Sequence, residues 1–391
     1  MAVPVASHPV LHQLAMQPAS QLERFVAGNR AAISEMLVSP PTARDVSSAW
    51  QLLTSPARSS LLQSAPQLVG NLEGIPYTWR NLANREFLVS SIDQLESTID
   101  SHAGRLEIEK ARRTLHMLSE VREALDAATP GQPRSLLTLD PAGAGRAAIV
   151  IGDLRTADYV SYLIPGMFFT VDGQIGDWAN SAASLYNDQV NWLRLVGNED
   201  DADATVATIA WLGYETPNLT NIGGLENAYE GRDLLAMSIE GLQNLRGADQ
   251  PYLSVLAHSY GSTAALMALT EYDFEIDALA MVGSPGSAAQ SVDELNVRDG
   301  NVFVGEASWD PVPNSAFFGS DPGSESYGAK PMGVGGGVDL ITHEPLDGSI
   351  GHNEYFGENT ESMRNMALIG IDKGHLVSTG ADPQYAKTIA R

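Results

Sequence analysis

From Ser135 onward, short apolar runs of strand length alternate with longer helical stretches, and this alternation limits the fold more than any other property of the chain. The runs are Ser135–Asp140, Arg146–Ile151, Asp158–Ile164, Ala204–Trp211, Tyr252–Leu256, Ile276–Val282 and Asn301–Val304. Helical patterns separate most of them, at Trp178–Leu195, Leu225–Leu245 and Ser262–Leu269. Strands joined through helices run parallel, and a parallel sheet needs helices over both faces to bury it. The first two runs are joined by a Pro- and Gly-rich turn, which reads as a hairpin and gives the sheet an antiparallel edge. A last strand is expected at Val338–Thr342 and a last helix at Glu361–Ile371.

Residues 1–133 follow a different grammar, helical and without strand alternation. Leu88, Ile92, Leu95 and Ile99, then Ile108, Ala111, Leu115, Leu118 and Leu125, recur at helical spacing. They predict two amphipathic helices folded as a hairpin about Ser101-His102-Ala103-Gly104. Thr129-Pro130-Gly131-Gln132-Pro133 stops the second helix, so a helical N-terminal region of residues 1–133 is expected to precede an α/β region of residues 134–391.

Composition acts mainly by exclusion. A formal net charge of −25 argues against nucleic acid or an anionic membrane as the main partner, and disfavours strongly anionic substrates. Without cysteine there is no disulfide, thiol nucleophile or thiolate metal site. No window approaches the roughly 20 continuous apolar residues of a membrane span. Met1 to His8 lacks the basic and apolar parts of a secretory signal, so a cytoplasmic location is expected, with export by another route left open. The sequence says nothing about oligomeric state. Gly335-Gly336-Gly337 lacks the Lys and Ser/Thr of a phosphate-binding loop. The cluster Glu199-Asp200-Asp201-Ala202-Asp203 lacks Ca2+-loop spacing and reads as a solvated acidic turn. No cofactor or metal is expected.

One pentapeptide carries chemistry. Ala257-His258-Ser259-Tyr260-Gly261 lies between an apolar strand and an Ala- and Leu-rich helix, the setting of a nucleophile elbow. A serine on so sharp a turn needs small residues two positions before and after it, as Ala257 and Gly261 are. A hydroxyl is a poor nucleophile at neutral pH, so a histidine must take its proton and an acid must orient that histidine. In this arrangement both follow the serine, acid first. Of the eight histidines only His343, His352 and His375 lie well downstream. His352 occupies a polar loop after the expected last strand and is favoured, with His343 its main competitor. Asp310, between a strand-like run and Pro311, is the favoured acid, although an Asp before Pro also commonly caps a turn. The oxyanion donors are expected to be the backbone N–H of Tyr260, which opens the helix, and that of Met167 in the loop Pro165-Gly166-Met167-Phe168. Met167, Phe168 and Phe169 fit either an apolar acyl pocket or core packing, and Tyr77, Trp79 and Phe87 either a pocket or contacts between layers.

Several segments together resemble the α/β-hydrolase domain of unknown function common in actinobacterial proteins. They are Tyr162-Leu163-Ile164-Pro165-Gly166-Met167, Ala210-Trp211-Leu212-Gly213-Tyr214-Glu215-Thr216-Pro217 and the elbow itself, where the family usually has Gly in place of Ala257. Val282-Gly283-Ser284-Pro285-Gly286, Trp309-Asp310-Pro311-Val312 and Gly351-His352-Asn353-Glu354-Tyr355 follow in the family's order. Gly70-Asn71-Leu72-Glu73-Gly74-Ile75-Pro76 and Arg80-Asn81-Leu82-Ala83-Asn84 resemble its upstream flank. The resemblance implies an α/β-hydrolase fold with Ser259, Asp310 and His352 at the triad positions, and no agreed substrate. The reading is a cofactor-independent serine hydrolase acting on a small-molecule or lipid-like acyl ester. Amide or peptide hydrolysis by the same triad, and a non-catalytic binding module on the same frame, are the alternatives.

Overall fold

The computed structural model describes residues 9–379, except 102–103, 219–220, 222 and 314. Eight helices come first: α1 (Pro9–Ala15), α2 (Ala19–Gly28), α3 (Arg30–Val38), α4 (Ala43–Leu52), α5 (Ser55–Ser64), α6 (Pro66–Asn71), α7 (Tyr77–Asp100) and α8 (Arg105–Asp126). Side-chain oxygens of Thr42 and Thr54 cap α4 and α5 by accepting the backbone N–H of Asp45 and Ala57. The hairpin turn expected at His102 and Ala103 lies outside the described residues, but α7 and α8 flank it as the apolar spacing predicts.

Strands and helices then alternate: β1 (Arg134–Asp140), β2 (Arg146–Gly152), β3 (Tyr159–Ile164), α9 (Val171–Val196), β4 (Val206–Leu212), α10 (Glu226–Arg246), β5 (Tyr252–His258), α11 (Tyr260–Glu271), β6 (Ala278–Val282) and β7 (Val302–Gly305). The two-residue pieces β8 (Lys330–Pro331), β9 (Gly337–Val338) and β10 (Pro345–Leu346) precede α12 (Glu361–Ile369). The main sheet has the order β1-β2-β4-β3-β5-β6-β7-β8. Only β1–β2 and β2–β4 pair antiparallel; the other pairs are parallel.

Successive strand residues point to opposite faces, so one sheet feeds two cores. On β4, Ala210 and Leu212 face α8, α9 and α12, while Ile209 and Trp211 face α10 and α11. Leu88, Ile92, Leu118 and Val121 of α7 and α8 bury into the first of these cores. The earlier helices bury Leu22, Met36, Leu61 and Leu68 mainly among themselves, closed by the edge-on contact of Trp50 with Trp79.

The outer edge of β1 would leave backbone groups unpaired, and asparagine side chains take them. Asn71 both donates to Leu139 O and accepts from Leu139 N–H, each at 3.0 Å. Asn81 Oδ1 accepts from Leu136 N–H at 2.8 Å, and Asn84 Nδ2 donates to Leu136 O at 3.2 Å. A Cβ on Gly70 would fall 1.9 Å from Asn84 Oδ1, so that glycine makes room for the amide. Fully buried Arg80 donates to Gly70 O and pairs with Glu73, fixing α6 against α7. The two segments upstream of the sheet are therefore its edge seal.

Two expectations fail here. Val338–Thr342 is not a strand beyond Val338, because Asp339 Oδ1 accepts the N–H groups of Ile341 and Thr342 and turns the chain. Nor is the acidic cluster simply a solvated turn: Asp201 is buried, accepting from Tyr159 Oη at 2.7 Å and pairing with Lys373 Nζ at 2.9 Å. Burial pushes the Asp201 carboxyl up, but these donors and the Asn198 N–H outweigh it and hold the group below its ordinary value. Among the described residues no helix is long and apolar enough to cross a membrane, and no group of three or more His, Cys, Asp or Glu could hold a metal ion.

Candidate active site

Ser259 sits between the end of β5 and the start of α11 at φ 52° and ψ −131°, a conformation that side-chain-bearing residues rarely adopt. Three close approaches hold it there. A Cβ on Gly261 would lie 2.3 Å from Pro165 O, and one on Gly166 would lie 2.5 Å from Ser259 Cβ. Ser262 Oγ donates to Ser259 O at 2.5 Å and lies 2.7 Å from Ser284 Oγ. Ala257, fully buried between β3 and β6, is accommodated in this turn.

The structure brings Ser259, His352 and Asp310 into one chain of hydrogen bonds. His352 Nε2 is 2.6 Å from Ser259 Oγ, and its Nδ1 is 2.9 Å from both oxygens of Asp310. A carboxylate only accepts, so Nδ1 carries the proton and Nε2 is left to accept from the serine hydroxyl. Asp310 lies five residues past β7, its side chain wholly buried, and also accepts from Val312 N–H at 2.9 Å and Tyr355 Oη at 2.6 Å. Burial pushes the Asp310 carboxyl up, yet the hydrogen bonds from His352, Tyr355 and Val312 prevail and hold it below its ordinary value. Gly283, at φ 59°, clears the space: a Cβ there would lie 2.9 Å from Asp310 Oδ2 and 3.1 Å from His352 Nδ1. His343 is exposed in the turn after Asp339 and makes no part of this arrangement.

Tyr260 opens α11, so its N–H has no acceptor one turn earlier in the helix. Met167 follows Gly166, which packs directly against Ser259, and among the described residues its N–H donates to no protein acceptor. Both donors thus lie on segments that touch the serine.

Two contributors escape a reading of the sequence alone. His258, the last residue of β5, reaches the histidine loop: its Nε2 is 2.7 Å from His352 O. A carbonyl oxygen only accepts, so His258 Nε2–H donates and braces the histidine loop. Burial first, and then the neighbouring His352 ring, push His258 down to about 4, so it stays neutral near pH 7. Buried Tyr355 accepts from Ala307 N–H at 2.9 Å while donating to Asp310, which ties the acid loop to the histidine loop. Tyr355 lies three residues after His352, so the sequence shows its proximity to the histidine but not its bond to the acid.

A cavity of about 760 Å3 is lined by Val38, Pro41, Asp140, Arg146, Trp211 and Glu230 and includes none of the three linked residues. A smaller one of about 530 Å3 is lined by Phe169, Trp178, Phe356, His258 and Tyr355; the three linked residues do not line it either, but His258 and Tyr355 are hydrogen-bonded to His352 and Asp310.

Residues 140–320 match the model of a family described as alpha/beta hydrolase. The chain belongs to this alpha/beta hydrolase family. An uncharacterized Mycobacterium bovis protein is 30% identical over 213 residues, which span 52% of this chain and 78% of the relative. An uncharacterized Mycobacterium tuberculosis protein is 26% identical across 86% of this chain but only 56% of its own length, so the chain spans little more than half of that longer relative. Solved alpha/beta hydrolase structures align at lower identity. A Pyrobaculum calidifontis esterase matches at 14% identity over 73% of this chain and 98% of its own, with a TM-score of 0.37. A CIB-like hydrolase of Thermoplasma acidophilum matches at 16% over 62% of this chain and 98% of its own, with a TM-score of 0.35.

Proposed function

We propose that this hydrolase is a serine hydrolase that cleaves a carboxylic ester through an acyl-enzyme, with Ser259 as nucleophile, His352 as general base and acid, and Asp310 as the group that orients His352. The observation carrying this reading is the continuous hydrogen-bond chain from Ser259 Oγ through both His352 nitrogens to a buried, ionised carboxylate.

Ser259 Oγ attacks the ester carbonyl carbon as His352 Nε2 takes the hydroxyl proton. The carbonyl oxygen becomes an oxyanion that accepts from Tyr260 and Met167 N–H, each such donor typically contributing about 3–4 kcal/mol in the transition state. Asp310 stabilises the transient imidazolium without taking its proton. Collapse breaks the bond to the leaving alcohol, which receives the proton from Nε2. A water then enters, gives its proton to the same nitrogen and attacks the acyl-enzyme carbonyl; collapse releases the acid and returns the proton to Ser259.

A fluorophosphonate probe tests the assignment. Adduct mapping is expected to find Ser259, with labelling abolished in Ser259→Ala and strongly reduced in His352→Ala. A folded protein that leaves Ser259 unlabelled sinks the proposal.

A further inference from the structure

We propose that this site takes an uncharged acyl ester from an apolar aggregate, docking through exposed side chains on the loops that frame Ser259; the inference rests on the ester-hydrolase reading above. Ser259 is itself buried, so its ester must enter between these loops. Each loop turns a large apolar side chain to solvent. Phe168, next to Met167, is 46% exposed; Trp309, directly before Asp310, is 90% exposed; Ile350, two residues before His352, is 63% exposed. Phe317 is 62% exposed and its ring lies 4.9 Å from that of Phe318, which stacks edge-on at 5.5 Å against Tyr260, the residue after Ser259.

This exposure is built into the backbone. Phe168 and Trp309 have φ of 63° and 68°, in the left-handed region where bulky residues are outliers. The strain is held by neighbours: Phe168 N–H donates to Pro217 O at 3.1 Å, and Gly351 N–H donates to Ser308 O at 3.0 Å, which bridges Ser308, the residue before Trp309, to Ile350. Folding gains nothing from aromatic surface left in water; docking on an apolar phase removes it from water.

Charge selects the occupant. No Lys or Arg occurs in Pro165–Leu193, Gly300–Ala329 or Pro331–Met363, the segments carrying these loops, whereas all three carry carboxylates. An anionic surface, or an ester with a phosphate on its leaving group, finds no counter-charge there and meets repulsion. An aggregate of uncharged ester meets neither obstacle.

Docking is tested apart from catalysis with the full chain carrying Ser259→Ala. It is expected to co-float with a triolein emulsion, to bind phosphatidylglycerol vesicles at least tenfold more weakly, and to lose emulsion binding at least tenfold when Trp309→Gln and Ile350→Gln are added, with the melting temperature unchanged. Remaining in the aqueous phase, preferring the anionic vesicles, or binding equally with the rim substituted overturns the inference. In the active chain the same pair should lower the ratio of p-nitrophenyl palmitate hydrolysis in non-ionic micelles to p-nitrophenyl acetate hydrolysis at least tenfold; an unchanged ratio also overturns it. Failure of the catalytic reading registers elsewhere, as absence of fluorophosphonate labelling at Ser259.

Discussion

The helices before Pro76 and the sheet beyond Arg134 are built on different terms. In the first region, amphipathic helices bury Leu22, Met36 and Leu68 mainly against one another, and no residue of the proposed triad lies there. In the second, two cores clamp a sheet whose strand ends carry residues in strained or crowded conformations, Ser259 and Gly283 among them. α7 and α8 are helical like the first region but bury into the sheet's core. Helical content and packing allegiance are therefore separate properties: periodicity reveals the first, and only the partner surface reveals the second. Substitutions should follow the same division, costing stability in one place and activity in the other.

The sharpest test of that division is Ser259→Ala. Turnover of a p-nitrophenyl ester should fall more than about a thousandfold, while thermal unfolding shifts by less than about 1 kcal/mol equivalent. Next, Leu22→Ala and Leu118→Ala should each cost about 2–5 kcal/mol in denaturant unfolding. Leu118→Ala should weaken the transition of the sheet, whereas Leu22→Ala should leave esterase activity at 25 °C nearly intact. Identical shifts of one shared transition would show that the two regions unfold as a single unit and break the comparison.

A smaller effect depends on pH. Above pH 6.5 His258 is neutral in both folded and unfolded chains; between 6.5 and about 4 the unfolded chain binds a proton that the folded chain refuses. Stability should therefore fall with decreasing pH across that window, by up to about 3 kcal/mol from this residue. Asp188, pushed up to about 6 by burial and by Glu358, acts in the opposite sense. The informative quantity is thus the difference between the parent and His258→Gln, whose stability profile should be flatter on the acid side. The smallest effect is expected for Tyr355→Phe, which removes one of the donors to Asp310: about tenfold in kcat with KM little changed, corresponding to about 1.4 kcal/mol.

Most of the sheet could be read in advance because a strand buried on both faces is a short continuous apolar run, and β1 to β7 start and end within two residues of those runs at every boundary. The candidate site was legible for a different reason: few histidines lie downstream of the elbow, and chain order restricts the acid. What stayed hidden depends on partners far along the chain. Asp201 looks like one more surface carboxylate until Lys373, 172 residues away, reaches it. His258 gains its role from a carbonyl 94 residues on. Asp339 sits in an apolar run that resembles a strand, and only its side-chain oxygen, capping two N–H groups, reveals the turn.

The asparagines along β1 bear on how this protein meets copies of itself. An open strand edge invites another strand to add to it, yet here Asn71, Asn81 and Asn84 already occupy Leu136 and Leu139, and the opposite edge stops at β8, whose Pro331 has no N–H to offer. Three amides and a proline, none of which touches the chemistry, thus leave both edges of the sheet with fewer backbone groups to offer an added strand.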